Sequence, residues 1–157
     1  MQATMAARPD VAFTAMTKRL LLFLFLLSAP LLQNCGDEPP IVDIPQVLVN
    51  VQLNLNNFEY QPLQVDGGWV YEPGGVRGLI IYRQSATRYR AFERNCTFEP
   101  RASCARVEVD QSNLFISDPC CSSTFSLPDG IPTGGPAPAP LREYRTFLDA
   151  NFLYVQN

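Results

Sequence analysis

The sequence predicts a single all-β domain of short antiparallel strands. In residues 45–54, Val47, Val49, Val51 and Leu53 alternate with polar residues, which is the period of a half-buried strand. Fourteen prolines and nine glycines divide the rest of the chain into similarly short runs, and no run has the spacing of an amphipathic helix. About nine such runs at close spacing indicate a small antiparallel sandwich or barrel.

The predicted strands follow one another with short connections. They cover residues 45–54, 69–71, 76–83, 89–96, 106–110, 113–117, 124–127, 142–148 and 152–156. Residues 76–83 form the most apolar run and are expected at the centre of a sheet. Hairpin turns are predicted at residues 111–112 and 149–151, and residues 54–64 are expected to form a long connection.

Residues 1–34 are predicted to be an N-terminal extension and signal peptide rather than part of the folded domain. A basic stretch begins at Met16, the predicted true start, and apolar residues 20–32 follow it. That run is too short for a relaxed bilayer span and is typical of a signal peptide. Cys35 comes directly after the run and is followed by acidic residues, which resembles a bacterial lipoprotein signal in the divergent form familiar in Bacteroidetes. The alternative is an uncleaved N-terminal anchor with Cys35 incidental.

The lipoprotein resemblance implies that Cys35 is lipidated and becomes the first residue of the mature chain. Residues 35–45 then form the lipidated cysteine and a proline-stiffened tether, and residues 46–157 form the folded domain. Such a protein lies in the cell envelope, anchored to a bacterial membrane on its periplasmic or cell-surface side. Cysteines beyond the membrane are expected to be oxidised.

The charge pattern argues against several classes of function. From Cys35 onward there are nine arginines and fourteen acidic residues, a net charge of −5, and the only lysine is Lys18. Because no basic tract is present, nucleic acid is not expected as a partner. Arg88, Arg90 and Arg94 are expected on the solvated face of one strand. The chain has no histidine and no phosphate-binding glycine loop, so we expect no enzymatic activity.

Four of the five cysteines lie within residues 95–141. Cys96 and Cys104 belong to one loop, and Cys120 and Cys121 belong to a second loop beyond the predicted hairpin. Two cysteine loops brought together by a hairpin are the layout of a metal site or of a pair of disulfides.

The pieces around these cysteines occur in a recognisable order. They are the strand Tyr89-Arg90-Ala91-Phe92-Glu93-Arg94-Asn95-Cys96-Thr97, the loop Asp118-Pro119-Cys120-Cys121-Ser122-Ser123-Thr124-Phe125, the turn Asp129-Gly130 and the segment Gly135-Pro136-Ala137-Pro138 through Leu141. This order is similar to the Rieske 2Fe-2S domain family, and the resemblance covers Val47 to Val155. It implies a Rieske-like β-sandwich in which the proline-rich loop covers the two cysteine loops.

The departures from the family decide which chemistry the resemblance implies. A Rieske cluster is bound by two cysteines on one iron and two histidines on the other. By the resemblance, Cys96 keeps the first cysteine-ligand place, Phe98 and Cys121 stand at the two histidine places, and Asp118 stands at the second cysteine place. A cluster of the usual ligation is therefore excluded, and we expect no cofactor. The alternative is a 2Fe-2S cluster held by unusual ligands.

The resemblance also bears on how the cysteines pair. Cys104 and Cys120 fall where many Rieske domains carry a disulfide between the loops, and we expect Cys96 and Cys121 to close a second bridge. Three alternatives remain: the four cysteines bind iron–sulfur or zinc as a four-thiolate set, Asp118 joins as an oxygen ligand, or one bridge is redox-active. The predicted function is a disulfide-stapled structural or interaction module that works with an unknown protein partner and the membrane. The alternative is an electron carrier.

Overall fold

The structure is a computed structural model that describes residues 43–157. The predicted signal peptide, the start at Met16, the lipidation site Cys35 and most of the tether lie outside the described residues, so these stay predictions. Among the residues described, no helix has the length and apolar character needed to cross a membrane.

Within residues 43–157, ten strands form two sheets, and every strand pair is antiparallel. The strands are β1 (Asn50–Asn54), β2 (Trp69–Glu72), β3 (Leu79–Ser85), β4 (Arg88–Glu93), β5 (Glu108–Val109), β6 (Phe115–Ser117), β7 (Thr124–Ser126), β8 (Pro132–Gly134), β9 (Glu143–Asp149) and β10 (Phe152–Gln156). The six-stranded sheet has the order β1-β10-β9-β4-β3-β2, and the four-stranded sheet has the order β5-β6-β7-β8. The predicted all-β antiparallel fold is confirmed.

The chain ends are paired within the larger sheet. β1 pairs with β10, with Asn50 opposite Gln156 and Leu53 opposite Leu153. The alternation predicted for the first strand is confirmed, since Val49 and Leu53 are buried and Val51 is half-buried, while the intervening Asn50 and Gln52 are exposed. The segment predicted as a connection contains a 3-10 helix, Phe58–Gln64.

β3 and β4 form the middle layer of the molecule. Leu79 and Ile81 of β3 pack into one apolar cluster with Leu53 and the 3-10 helix residue Leu63. Ile80, on the opposite face of β3, packs into a second cluster; its other members include Phe92, Ile116, Phe125 and Leu141. Because both faces of β3 are covered, the consecutive residues Leu79, Ile80 and Ile81 are all fully buried. This explains why the strand begins with a continuous apolar run.

Two sequence expectations need correction at the strand ends. The β5–β6 hairpin does not turn at residues 111–112 alone: Val109 pairs with Ile116, and Asn113 takes the left-handed backbone conformation in a wider turn. Arg94 does not lie on a solvated face but is only 5% exposed. It follows the last residue of β4, where its guanidinium lies over the ring of Tyr71.

The second apolar cluster gives a direct test of the fold. Replacing Phe125, which is 0% exposed, by alanine is expected to lower the free energy of unfolding by about 3–5 kcal/mol because it leaves a cavity between the sheets. The matched control is Phe147→Ala, at a side chain that is 61% exposed, with an expected loss of about 1 kcal/mol or less. Chemical denaturation measures both. Equal losses would contradict the placement of Phe125 between the sheets.

Candidate functional site

The first cysteine loop leaves the end of β4 and returns to β5. Its two ends are tied together, because Asn95 forms a β-bridge with Arg106 and the N–H of Cys96 donates to the carbonyl oxygen of Ala105 at 3.1 Å. The loop between these ends carries Cys104. Cys96 therefore lies at the start of the loop, and Cys104 directly precedes Ala105, where the loop closes.

The side chain of Arg77 braces this loop from the β2–β3 connection. Its Nε donates to Oδ1 of Asn95 at 2.7 Å, and its terminal nitrogens donate to the carbonyl oxygens of Ala102 and Ser103. A guanidinium presents its donors in a fixed fork, so one side chain can hold several acceptors in a set arrangement. Arg77 thereby fixes the loop to the larger sheet.

A buried carboxylate holds the backbone of Arg77 in turn. Glu93, at the end of β4, is fully buried and accepts the N–H groups of Val76 and Arg77 at 2.8 and 2.9 Å. It also accepts the hydroxyl of Tyr144 at 2.8 Å. Burial, together with the bond to Glu93, raises the pKa of Tyr144 to about 12. The carboxylate is thus satisfied by three donors, as a buried charge requires.

The second cysteine loop is a tight turn between β6 and β7. The N–H of Asp118 donates to the carbonyl of Ser123 and the N–H of Ser122 donates to the carbonyl of Asp118, both at 2.8 Å. The Oδ1 atom of Asp118 accepts the N–H of Cys120 at 2.8 Å. These bonds turn the Asp118 side chain inward, and it is only 1% exposed.

A disulfide joins the two loops. Cys104 and Cys120 are bonded, with their Cα atoms 5.5 Å apart. The pairing implied by the family resemblance is confirmed for these two residues. It also rules out a four-thiolate metal site in this form of the protein, because two of the four sulfurs are bonded to each other.

The proline-rich loop covers both cysteine loops. The hydroxyl of Thr97 donates to the carbonyl of Ala139 at 2.7 Å, and the N–H of Ala137 donates to the hydroxyl of Ser123 at 3.0 Å. At Gly135 a Cβ would stand 2.5 Å from Cα of Ser123, and φ is +82°. Only glycine permits this approach without displacing the second cysteine loop.

Two sulfurs and a carboxylate meet where the loops converge. Sγ of Cys96 and Sγ of Cys121 are 3.8 Å apart, and Sγ of Cys121 donates to Oδ2 of Asp118 at 3.1 Å. The three candidate ligand atoms lie within 4.8 Å of one another, and we call these residues the Cys96–Asp118–Cys121 cluster. The hydroxyl of Ser123 lies 3.0 Å from Sγ of Cys121, and the N–H of Phe98 donates to Sγ of Cys96 at 3.4 Å.

The cluster is buried on one side and reachable on the other. Cys96 is fully buried, whereas Cys121 is partly exposed. Burial raises the pKa of the Cys96 thiol well above its usual range, and the hydrogen bond and negative charge of Asp118 raise it further. Without a bound cation, Cys96 is therefore a neutral thiol at physiological pH.

The residues present do not fit a Rieske-type 2Fe-2S cluster. By the family resemblance, Cys96 and Cys121 stand at positions that ligate different irons, and two irons with their bridging sulfides would have to lie between sulfurs that are already 3.8 Å apart. Phe98, at a matched histidine position, has no ligand atom in its side chain and packs against the second apolar cluster. Of the four residues at matched ligand positions, only Cys96, Asp118 and Cys121 have a side-chain atom that can bind a metal.

The predicted bridge between Cys96 and Cys121 stays a prediction. The structure has both as free cysteines, with the sulfurs in contact but not bonded. The braces provided by Arg77 and Glu93 were missed by the sequence reasoning. Glu93 fits the polar half of a strand pattern, and nothing local to it signals that its face is covered.

Comparisons with known proteins give a likeness in fold only. No protein-family model matches the chain, and no curated protein matches it. Among solved structures, the chain is similar to the ferredoxin of carbazole 1,9a-dioxygenase from Nocardioides aromaticivorans IC177, with 20% identity, a TM-score of 0.40, and coverage of 58% of this chain and 86% of that one. It is also similar to a chain in the complex of reduced oxygenase and oxidized ferredoxin in carbazole 1,9a-dioxygenase, with 19% identity, a TM-score of 0.42, and coverage of 58% and 82%.

Removing the disulfide should destabilise the domain. The double variant Cys104→Ser/Cys120→Ser is expected to lose about 2–5 kcal/mol of unfolding free energy, because the unfolded chain regains the freedom that the cross-link removes. Denaturant titration with and without a reductant measures the loss. The reductant should lower the stability of the parent chain and leave the double variant unchanged; equal stability of the two chains would contradict a stapling role.

The two free thiols should react at different rates. In the metal-free chain without reductant, iodoacetamide is expected to label the partly exposed Cys121 before Cys96, because Cys96 is buried and its pKa is raised. Labelling of Cys96 should accelerate about tenfold per pH unit between pH 7 and 9, since its thiolate fraction is small throughout. Peptide mass spectrometry after timed quenching measures each site. Faster labelling of Cys96 would contradict the burial.

Proposed function

We propose that this chain is a Rieske-like domain that has lost its 2Fe-2S cluster and serves as a disulfide-stapled structural or interaction module. The observation that carries the proposal is the 3.8 Å contact between Sγ of Cys96 and Sγ of Cys121, at positions that would ligate different irons. The packed, ligand-free side chain of Phe98 supports the same conclusion.

Other interactions hold the loops where a cluster would otherwise connect them. The Cys104–Cys120 bridge joins the loops covalently, and Arg77 ties the first loop to the larger sheet. The proline-rich loop bonds to both cysteine loops through Thr97 and Ser123. A domain braced in this way keeps its loop surface in a fixed shape without an iron–sulfur cluster, as a structural or binding module needs.

The module acts, on this proposal, at the membrane of a bacterial cell envelope. Lipidated Cys35 attaches it, and residues 35–45 act as the tether. A partner protein would meet a domain with several exposed apolar side chains, among them Val65 and Leu114, which are 63% and 73% exposed. Such side chains on a negatively charged domain favour a protein partner over nucleic acid.

The proposal predicts a colourless, iron-poor protein. The full chain, purified anaerobically from iron-supplemented cells, is expected to lack visible iron–sulfur absorption and to contain far less than one iron per chain, because the site has no room for two irons and two sulfides. Absorption spectroscopy with iron and acid-labile sulfide assays measures this. Two irons and two sulfides per chain, lost in Cys96→Ser, would overturn the proposal and establish an electron carrier.

A further inference from the structure

The Asp118 carboxylate is buried without a positive partner. It is 1% exposed, and none of the four ion pairs formed within residues 43–157 includes it. The N–H of Cys120 and the thiol of Cys121 donate to it, and neither group brings a positive charge. A buried carboxylate in such surroundings is favoured by a cation held close to it.

The two sulfurs stand at the separation that a single tetrahedral ion imposes. Thiolates bound at about 2.3 Å to one tetrahedral ion lie about 3.8 Å apart. Sγ of Cys96 and Sγ of Cys121 are 3.8 Å apart before any ion is added. Sulfur and carboxylate ligands on the same ion lie about 3.5 Å apart, so the 3.1 Å separation between Cys121 and Asp118 needs to open by only a few tenths of an ångström.

The surroundings orient these three ligands. Asp118 uses Oδ1 for the N–H of Cys120, which leaves Oδ2 to face Sγ of Cys121. Sγ of Cys96 accepts the N–H of Phe98, a bond that strengthens when the sulfur becomes a thiolate. Asp118 and Cys121 are separated by two residues, a spacing that short metal-binding turns use.

We propose that Cys96, Asp118 and Cys121 bind one Zn²⁺ ion. The set of two soft sulfurs and one carboxylate oxygen, all within 4.8 Å of one another, suits zinc rather than magnesium or calcium, which take oxygen ligands. On binding, each thiol releases its proton to solvent, and the partly exposed side of Cys121 leaves the fourth position to water. The inference rests on the proposed loss of the cluster, because the ion takes sulfurs that a cluster would use.

The ion and the predicted second bridge exclude each other. A disulfide between Cys96 and Cys121 would need an oxidant to take two electrons as both protons leave, and it would remove the thiol that donates to Oδ2 of Asp118. The buried carboxylate oxygen would then lose its donor, which disfavours the bridge. Zinc instead satisfies the same oxygen by coordination.

The test uses the full chain with Cys35→Ser, so that every remaining cysteine belongs to the described domain. The chain is dialysed against a chelator without reductant, then titrated with Co²⁺ as a spectroscopic substitute, and with Zn²⁺ in competition. One Co²⁺ per chain is expected, with sulfur-to-metal charge-transfer bands in the near ultraviolet and the intense visible bands of a tetrahedral site. Zn²⁺ should bleach both sets stoichiometrically.

Variants assign the ligands. Cys96→Ser and Cys121→Ser should each weaken Co²⁺ binding on the order of 100-fold or more, since loss even of outer partners costs up to that much. Asp118→Asn keeps the shape of the side chain and should weaken it at least about tenfold. Asp110→Asn, at an exposed turn of β5–β6, is the matched control and should bind as the parent does. Circular dichroism shows whether each variant is folded, and any variant that is not folded is replaced by alanine at the same position.

Binding that survives in both cysteine variants, or tetrahedral bands without thiolate charge transfer, overturns the zinc site. A mass lower than that of the thiol form by two hydrogen atoms, with a Cys96–Cys121 cross-linked peptide, overturns it in favour of the second bridge and leaves the proposed function standing. Iron–sulfur absorption from the purified chain would overturn both.

Discussion

The convergence of the two cysteine loops is the constraint on which the rest of the structure depends. Each loop leaves a different sheet: the first starts at the end of β4 and the second joins β6 to β7. Whether or not an ion lies at their meeting point, covalent and polar bonds of the protein hold the two loops together. The Cys104–Cys120 disulfide does this covalently, and the proline-rich loop does it through hydrogen bonds to Thr97 and Ser123.

The need to hold the two cysteine loops together also explains why the carboxylate of Glu93 is buried in the middle layer that β3 and β4 form. Glu93 is held by backbone N–H groups and by the Tyr144 hydroxyl, and it positions the connection from which Arg77 reaches across the first loop. Removing one partner of such a network leaves a buried charge unpaired, which is more damaging than the loss of an exposed ion pair such as Arg101–Asp43. The brace therefore links the stability of the larger sheet to the shape of the loop.

Strands and hairpins could be predicted from the sequence, because they depend on neighbouring residues. The burial and contacts of individual polar side chains could not, because they depend on residues distant in the chain. The alternation from Val47 to Leu53 and the closing hairpin are local patterns, and both are found in the structure. The Cys104–Cys120 pairing came from the order of motifs. Arg94 was misjudged because the strand face that Arg88 opens to solvent is covered further along, where Phe92 on the same face is fully buried. Its stacking on Tyr71 depends on a strand far away in the chain.

Asp118 decides how the two remaining sulfurs are best understood. If Cys96 and Cys121 existed only to form a second staple, a buried acidic side chain beside them would be a disadvantage, since it raises the pKa of Cys96 and slows the thiolate attack that forms a disulfide. An apolar or amide residue would serve a staple better. A carboxylate is useful there if a cation is to be held, because it contributes both a ligand atom and negative charge. Asp118 is therefore the residue that makes a single-ion site chemically reasonable at the meeting point of the two loops.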